Sequence, residues 1–374
     1  MTTTAPAWRE AAERLVEDLR GKNALHDDAV ADAITSVPRH LFVPRNAMTD
    51  KIAGGTGEDG LMALAYSDRG VMTHTPDDPA ATFSSTSQPS IVAKMLEAAL
   101  LAPGLRVLEI GAGTAWNSAL IHHITRAPVV SVEHSAVVAE EARSALAAVG
   151  VEDVRVVTGD GYLGDPQDGR YDRIIATVGI AGVPPAWLEQ LADGGFILAP
   201  IAHGGMHPIT RVTVDCDGRP CGRLVTMADF MIAAGPMYGA RPTPPAVRRT
   251  PFPTPTRALE VPGFPTGLDR DALADLWMHL AAHDSRITCA CAVADFSGCA
   301  LVNQDETAAV FVAEDGVFPT DDLPATTALA HRVAESVGRW VEAGRLPMTS
   351  WHTRFQPVGT PRPLWTPGTW TLAP

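Results

Sequence analysis

The sequence predicts an α/β fold in which a doubly wound, mostly parallel sheet is followed by a smaller α+β domain at the C-terminal end. Two observations predict the sheet. From Ser87 onward short apolar strands alternate with amphipathic helical stretches, and a Gly-x-Gly turn directly follows the first of those strands. Strands that alternate with helices form parallel sheets with helices on both faces. A third observation, a Pro-rich stretch at residues 241–257, predicts where the second domain begins.

The bulk composition is that of a large globular protein. The chain has 374 residues, more than one hydrophobic core usually organises, and a net charge of -14. That charge repels nucleic acid and anionic membranes, so we expect neither as a partner. Residues 1–19 contain no apolar run. We therefore expect no secretory signal and a cytoplasmic location, in which the five cysteines are reduced thiols.

The N-terminal segment precedes the sheet. Helical spacing over residues 8–35, interrupted near Gly21, predicts two helices. A Pro-bounded stretch at 37–44 predicts extended chain, and residues 53–82, rich in Gly, Asp and Thr, predict a loop. The apolar spacing that follows predicts a helix over 88–101.

Five strands and three helices are predicted for the sheet itself. The strands are expected at residues 105–110, 129–133, 154–158, 171–177 and 195–201, and the helices near 114–125, 135–149 and 184–192. Two more strands, 209–214 and 223–230, flank a turn signal at Asp215 to Gly218. We expect them to form an antiparallel hairpin at the edge of the sheet.

Beyond the Pro-rich stretch the sequence predicts a second domain. The predicted divisions are a first domain at residues 1–240, a linker at 241–257 and a second domain at 258–374. Within the second domain, helices are expected near 270–282 and 325–343, and strands near 287–294 and 308–313, ahead of a tail rich in Trp and Pro. We expect this domain to recognise the substrate or to serve as an accessory unit.

The Gly-x-Gly turn indicates a bound small molecule. Gly111 and Gly113 have no Cβ to obstruct the approach of a ligand to the backbone. A dinucleotide fingerprint would have a third glycine at position 116, where this chain has Trp116. Glu109, at the end of the preceding strand, would repel a pyrophosphate but suits a ligand that carries an ammonium and a sulfonium. The turn therefore predicts S-adenosylmethionine as the cofactor.

Acidic residues end three successive strands. Glu133, at the end of the second strand, is expected to accept hydrogen bonds from two ribose hydroxyls, and Asp160, after the third, from an adenine amino group. The predicted cofactor-binding residues are Glu109, Gly111, Ala112, Gly113, Glu133, His134, Asp160 and Gly161. The alternative is that these acids are ordinary polar loop residues of an α/β sheet.

Several motifs occur together between residues 25 and 235. They are Val-Pro-Arg at 37–39, Leu-Phe-Val at 41–43, Tyr-Ser-Asp at 66–68, Ser-Gln-Pro at 87–89, Glu-Ile-Gly-Ala-Gly at 109–113, Gly-Asp-Gly at 159–161 and Gly-Gly-Phe-Ile-Leu-Ala-Pro at 194–200. In this combination the chain resembles the protein-L-isoaspartate (D-aspartate) O-methyltransferase family. More specifically, it is similar to a variant with an added C-terminal domain, as in members that tailor peptides by forming aspartimide. The resemblance implies the Rossmann-like fold of class I S-adenosylmethionine methyltransferases and esterification of an aspartyl or isoaspartyl carboxylate in a peptide or protein.

The resemblance also implies where the substrate lies. Ser87 is the predicted catalytic residue, and Ser85, Thr86, Ser87 and Gln88 are the predicted substrate-binding residues. The N-terminus of the following helix should add backbone N–H groups and the positive end of its dipole. The alternative is that Ser87 only caps that helix. A carboxyl group with a pKa of about 4 is already ionised at neutral pH, so the chemistry needs no His–Asp pair.

We predict no metal site. His279 and His283 have the i, i+4 spacing of a ligand pair, and Cys289 and Cys291 follow them. A Cys-x-Cys sequence inside an apolar strand is more typical of buried small hydrophobic residues.

Two departures from the family pattern bear on the substrate. Residues 71–86 replace the family's usual segment before Ser-Gln-Pro with a longer sequence, and plain repair enzymes lack the second domain. We therefore predict a tailoring enzyme for a ribosomally made peptide, whose methyl ester collapses to a succinimide. One alternative is a repair methyltransferase with an accessory domain. An alternative from another class is a non-catalytic S-adenosylmethionine-binding module, against which the intact acids and Ser87 argue.

Overall fold

The computed structural model describes residues 7–44, 58–74, 84–167, 169–239, 252–255 and 257–372. The chain divides into two compact units, the first formed by Met1–Val178 with Pro184–Ala199 and the second by Gly179–Val183 with Pro200–Pro374. This division lies well ahead of the predicted linker at 241–257, most of which falls outside the described residues. The functional boundary placed at that linker stays a prediction.

Two amphipathic helices open the first unit. Helix α1 (Ala7–Gly21) buries the face that carries Leu15 and Leu19. Helix α2 (Asp28–Ser36) is capped by Asp27, whose carboxylate accepts the N–H groups of Ala29 and Val30. Both helices confirm the prediction from apolar spacing.

The segment between α2 and the parallel sheet is more structured than predicted. The stretch expected to be extended contains a 3-10 turn at Arg39–Leu41, and the expected loop contains helix α3 (Glu58–Ala65) and strand β1 (Val71–His74). Strand β1 pairs antiparallel with β2 (Ser84–Thr86). The predictions for this segment were wrong because each element is too short to display a clear apolar period.

Five parallel strands form the sheet of the first unit. They are β3 (Val107–Ile110), β4 (Val129–Glu133), β5 (Val154–Thr158), β6 (Tyr171–Ala176) and β7 (Leu191–Pro200). Their order is β7-β6-β3-β4-β5. The chain runs outward from β3 to β5 and then returns to the other side of β3, so the topology reverses between β3 and β6. Ligands bind at such a reversal, outside the carboxyl ends of the strands. The predicted doubly wound parallel sheet is confirmed.

Helices connect the parallel strands. Helix α4 (Pro89–Ala98) precedes β3, and α5 (Trp116–Thr125), α6 (Ala136–Ala148) and α7 (Pro185–Glu189) follow it along the chain. The last of these is shorter than predicted because Leu191 already belongs to β7. Strands β3 and β4 are buried along their whole length, as expected for strands covered on both faces.

The second unit is rich in antiparallel strands. One set consists of β8 (Ile209–Val214), β9 (Pro220–Thr226), β14 (Trp351–Val358) and β15 (Leu364–Leu372), in the order β15-β14-β9-β8. The other is a four-stranded sheet of β10 (Ile287–Cys289), β11 (Cys299–Val302), β12 (Ala309–Ala313) and β13 (Gly316–Pro319). Helices α8 (Pro236–Gly239), α9 (Arg270–His283) and α10 (Pro324–Glu342) complete the unit.

The predicted antiparallel hairpin is confirmed as the pair β8 and β9, whose turn is held by Asp215. Its predicted position at the sheet edge is wrong, because β14 pairs with β9 and is followed by β15. The Asp215 carboxylate accepts the N–H groups of Asp217 and Arg219 at 3.0 and 2.9 Å. The predicted second strand is shifted, since β9 ends at Thr226.

The Trp- and Pro-rich tail forms β14 and β15 rather than an irregular segment. Trp351 and Trp370 are buried, as is Trp340 on α10, so these side chains pack in the core of the second unit. The prediction of reduced thiols is wrong for one pair. Cys289 and Cys291, whose Cα atoms are 5.4 Å apart, form a disulfide, a separation within the range that a disulfide spans. In the described part of the chain, no helix is long and apolar enough to cross a membrane.

Candidate active site

The turn between β3 and α5 has a backbone conformation that favours glycine. Gly111 has φ +98° and Gly113 has φ +51°. A Cβ on Gly111 would lie 2.6 Å from Thr177 Oγ1, whose hydroxyl donates to the Gly111 carbonyl oxygen at 2.5 Å. Ala112, between the glycines, is buried. The turn therefore depends on the two glycines that the sequence singled out.

Glu109 points into the protein interior. Its side chain is fully buried, with Oε1 accepting from Asn117 at 2.7 Å and Oε2 accepting from Ser131 at 2.5 Å and from Ser118. Burial raises the pKa of Glu109, and these hydrogen bonds oppose that rise. The carboxylate thus anchors the first turn of α5 to β4. Direct contact between Glu109 and the cofactor stays a prediction.

Glu133 reaches the glycine turn from the neighbouring strand. Its Oε2 accepts the Gly113 N–H at 3.0 Å, and its Oε1 accepts the Ser135 N–H at 3.0 Å. Each carboxylate oxygen has a second lone pair, so Glu133 can hold the turn and still accept from a hydroxyl group. The neighbouring His134 is exposed.

Asp160 and Gly161 lie at the carboxyl end of β5. Asp160 Oδ1 accepts the Tyr162 N–H at 3.0 Å and thereby starts a 3-10 turn at Gly161–Leu163. The Gly161 carbonyl accepts from Trp187 Nε1 at 2.8 Å. The structure therefore places all the predicted cofactor residues at the carboxyl ends of β3, β4 and β5, which adjoin one another in the sheet.

A cavity of about 740 Å³ opens beside the glycine turn. Gly113 is the one predicted cofactor residue in its lining, which otherwise comes from Thr114, Phe42, Thr73 and one face of α6. Sites for small molecules have volumes of roughly 300–1,000 Å³, so the cavity has the size that a nucleoside-containing cofactor needs. The glycine turn and Glu133, an acid that can accept hydroxyl hydrogens, fit S-adenosylmethionine.

The predicted substrate segment packs against the same turn. The position that a Cβ would take on Gly113 lies 3.4 Å from the carbonyl oxygen of Ser85 and 3.8 Å from Ser84 Oγ. Ser85 and Ser87 are half-buried, as is Gln88, and Thr86 is buried. The structure thus brings Ser85, the first of the predicted substrate residues, next to the predicted cofactor turn.

The N-terminus of α4 does not hold a carboxylate in the way predicted. The helix begins with a proline, which has no N–H. The Ser90 N–H donates to Asp68 Oδ1 at 2.9 Å, and the Ile91 N–H donates to the carbonyl oxygen of Gln88 at 3.0 Å. Gln88, not Ser87, is the N-cap residue, so the capping alternative for Ser87 is also wrong. Both expectations failed because local sequence does not reveal that Asp68 folds onto this helix end.

The His and Cys residues considered for a metal lie in the second unit. The rings of His279 and His283 have their centroids 4.4 Å apart, and burial lowers the pKa of His279 to about 4. Cys289 and Cys291 are bonded to each other. Among the residues that the structure describes, no three His, Cys, Asp or Glu side chains are grouped so as to hold a metal ion.

Comparison with known proteins gives consistent matches. The family model described as Protein-L-isoaspartate(D-aspartate) O-methyltransferase matches residues 10–233. The chain is 36% identical over 218 residues to the protein-L-isoaspartate O-methyltransferase of Methanoregula boonei, covering 58% of this chain and 89% of the relative. It is 35% identical over 192 residues to that of Pyrococcus horikoshii, covering 51% of this chain and 78% of the relative.

A solved structure titled protein-L-isoaspartate O-methyltransferase has a similar fold. The two structures align with a TM-score of 0.54 and a sequence identity of 22%. The alignment covers 97% of this chain and 99% of the solved chain. At that identity the likeness concerns the fold alone, and it includes residues of both units.

Proposed function

The chain belongs to the protein-L-isoaspartate (D-aspartate) O-methyltransferase family and is an S-adenosylmethionine-dependent carboxyl methyltransferase of class I fold, and from that premise we propose that it repairs proteins by esterifying isoaspartyl carboxylates. The observation that carries the proposal is the packing of β2, which bears Ser85 and Thr86, against the glycine turn at Gly113. A methyl donor and a carboxylate acceptor must meet, and this is where the two predicted sets of residues meet.

The donor site is assigned residue by residue. S-adenosylmethionine supplies an activated methyl group when it is bound. The glycine turn would leave the backbone at Gly111 and Gly113 open to the ligand, Glu133 would accept from the ribose hydroxyls, and Asp160 would accept from the adenine amino group. Glu109 keeps α5 in place beneath the turn through its hydrogen bonds to Asn117 and Ser118.

The acceptor needs little chemical help. A carboxylate with a pKa of about 4 is ionised at neutral pH and is already a nucleophile. The chain must therefore align the carboxylate with the methyl group, and such alignment can lower the activation free energy by roughly 7–11 kcal/mol. We assign that alignment to Ser87, whose hydroxyl donates to the carboxylate, with Ser85, Thr86 and Gln88 forming the surrounding walls. The methyl ester then loses methanol as the neighbouring backbone nitrogen closes on it. Water opens the resulting succinimide at either carbonyl, which yields aspartyl product and isoaspartyl product that can be methylated again.

The comparisons favour repair over the tailoring function predicted from the sequence. The relatives at 35–36% identity are named protein-L-isoaspartate O-methyltransferases. The second unit was one of the two reasons for predicting tailoring. It does not separate the two functions, because the solved structure titled protein-L-isoaspartate O-methyltransferase has a similar fold over 97% of this chain. We therefore adopt the repair alternative.

A role in substrate selection is proposed for residues 258–374. Its support is that the residues assigned to methyl transfer all lie in the first unit. Truncation after residue 240 is a poor test, because it removes β14, which pairs with β9 through His352 and Arg223. Hydrogen exchange of the full chain loaded with S-adenosylhomocysteine tests it better. Added isoaspartyl protein should slow exchange within residues 258–374, and slowing confined to the first unit would contradict the role.

The repair proposal is tested by following two peptides that differ only in one linkage. With S-adenosylmethionine present, the isoaspartyl peptide should convert to the aspartyl form over repeated cycles, while the aspartyl peptide remains unchanged. Esterification of the aspartyl peptide instead would support tailoring. Binding of S-adenosylhomocysteine without methyl transfer to either peptide would support the non-catalytic alternative.

A further inference from the structure

Arg39 is a fully buried arginine whose guanidinium donates hydrogen bonds to four main-chain carbonyl groups. Its Nη1 donates to the carbonyl oxygens of Ala65 at 2.7 Å and Ser67 at 3.1 Å. Its Nη2 donates to those of Arg69 at 3.1 Å and Ser87 at 2.9 Å. Within the described residues, no carboxylate accepts a hydrogen bond from it. The side chain therefore joins the end of α3 to the residue predicted to contact the substrate.

The same guanidinium lies over the indole of Trp116. Arg39 Cζ is 4.9 Å from the ring centroid, a distance typical of cation–π contact. Trp116 is buried and is the first residue of α5, directly after the glycine turn. One side chain thus contacts both the main chain of Ser87 and the helix that follows the cofactor turn.

Arg39 stays charged in this setting. Burial lowers its pKa to about 10, and the nearby Asp68 acts in the opposite direction. Asp68 is itself engaged, accepting from Ser90 N–H at 2.9 Å and from Lys22 Nζ at 3.1 Å. A charged, planar guanidinium can reach several carbonyl groups at once, whereas the ammonium group of lysine has its three donors on one atom.

We infer that Arg39 is a positioning residue, which fixes the Ser87 main chain relative to Trp116 and so sets the distance between acceptor and donor sites. The expected effect of Arg39 on methyl transfer rests on the proposed function. The alternative is that Arg39 only stabilises the core. Because Ser87 is assigned to hold the substrate carboxylate, displacement of its main chain should weaken substrate binding and raise KM, while cofactor affinity changes little.

Arg173 offers a matched control within the same unit. Its Cζ lies 4.1 Å from the centroid of the Phe196 ring, and its Nε donates to the carbonyl oxygen of Ala99 at 2.6 Å. Arg173 thus combines the same two kinds of contact at the other end of α4, away from Ser87. Arg173 is half-buried, so its loss reports what a stacked, hydrogen-bonded arginine contributes to stability without contact to Ser87.

The experiment compares full-length Arg39→Met, Arg39→Lys and Arg173→Met with the wild type. Arg39→Met should raise the KM for an isoaspartyl peptide at least about tenfold while the Kd for S-adenosylhomocysteine stays within about threefold. Arg39→Lys should resemble Arg39→Met, because charge alone does not hold the carbonyl groups. Arg173→Met should lower the Tm and leave KM unchanged. A lysine variant with wild-type KM, or an Arg39→Met variant that loses only Tm, would overturn the inference.

One further variant and one further measurement cover the cases in which Arg39→Met is insoluble or the wild type is inactive. If Arg39→Met is insoluble, Trp116→Phe weakens the stack while keeping an aromatic ring, and it should still raise KM about threefold. An unchanged KM in that variant would overturn the inference. If the wild type transfers no methyl group, the proposed function fails separately. Amide exchange over residues 84–92 then tests the positioning, since it should be faster in an Arg39 variant than in Arg173→Met, and equal rates would overturn the role.

Discussion

The position of a Cβ on Gly113 lies 3.4 Å from the carbonyl oxygen of Ser85. A residue of the cofactor turn therefore lies beside a residue of the predicted substrate strand, with room for little more than a methyl group between them. The Gly113 N–H also donates to Glu133, so this glycine contacts both the donor and the acceptor side of the site. Small changes at Gly113 should thus affect methyl transfer more than they affect folding.

Gly113→Ala tests this contact. An alanine with a positive φ costs about 1–2 kcal/mol, and its methyl group would fill the space between the glycine turn and the Ser85 carbonyl oxygen. Gly150→Ala is the matched control, because Gly150 has φ +70° and nothing lies within 4 Å of its Cβ position. We expect similar losses of Tm in the two variants but a loss of methylation rate only in Gly113→Ala. Equal rates in the two variants would show that the contact has no catalytic consequence.

Glu133→Ala should weaken S-adenosylhomocysteine binding by about 1–3 kcal/mol, because ribose hydroxyls and the Gly113 N–H lose their acceptor. Isothermal titration calorimetry measures the change directly. Glu152→Ala, in an exposed position between α6 and β5, serves as the control for loss of a surface acid. Affinities that do not differ between the two variants would remove Glu133 from the cofactor site.

Ser87→Ala should lower kcat/KM for an isoaspartyl peptide by roughly tenfold, the value of one hydrogen bond to a charged group. The Kd for S-adenosylhomocysteine should stay unchanged, because the glycine turn holds the donor independently of this hydroxyl. A variant with normal specific activity and a lower Tm would mean that Ser87 is purely structural.

Asp275 should make the second unit sensitive to pH. Burial raises its pKa from 3.8 to about 6, with Asp271 and Asp269 adding to the rise. Between those values the folded state binds the proton more tightly than the unfolded state does, so Asp275 lowers stability as pH rises through this window. Asp275→Asn keeps an oxygen that can accept the Met348 N–H and removes the charge.

The free energy of unfolding in urea should therefore be higher for Asp275→Asn than for the wild type above pH 6. The difference should shrink as pH falls to 4. Asp305→Asn, at an exposed position, should show no such trend. A difference that does not depend on pH would contradict the assignment.

The parallel sheet and its glycine turn were predictable because their signals are local. Strands β3 and β4 are mostly apolar, with their acids at or near the carboxyl ends, and glycines that require positive φ follow β3 in the sequence. What could not be predicted depends on contacts between distant residues. Arg39 is bonded to Ser87, and Asp68 occupies the helix end at Ser90, but nothing in the spacing of these residues indicates either contact.

The second unit illustrates the same distinction. Local patterns predicted the hairpin of β8 and β9 and helices α9 and α10. They did not predict β14, which pairs with β9 across more than a hundred residues of chain. The contact of the buried His207 with the exposed Asp229, whose Nδ1 and Oδ1 atoms are 2.8 Å apart, was likewise not evident, because the two residues lie on separate segments.

The most direct test of the proposed function uses S-adenosylmethionine carrying a labelled methyl group, the full-length chain and an isoaspartyl peptide. Esterification of a carboxylate predicts label that mild base releases as volatile methanol, at a rate that Glu133→Ala and Ser87→Ala both reduce. The matched aspartyl peptide should acquire no label. Label that resists base, or equal labelling of both peptides, would contradict an isoaspartyl carboxyl methyltransferase.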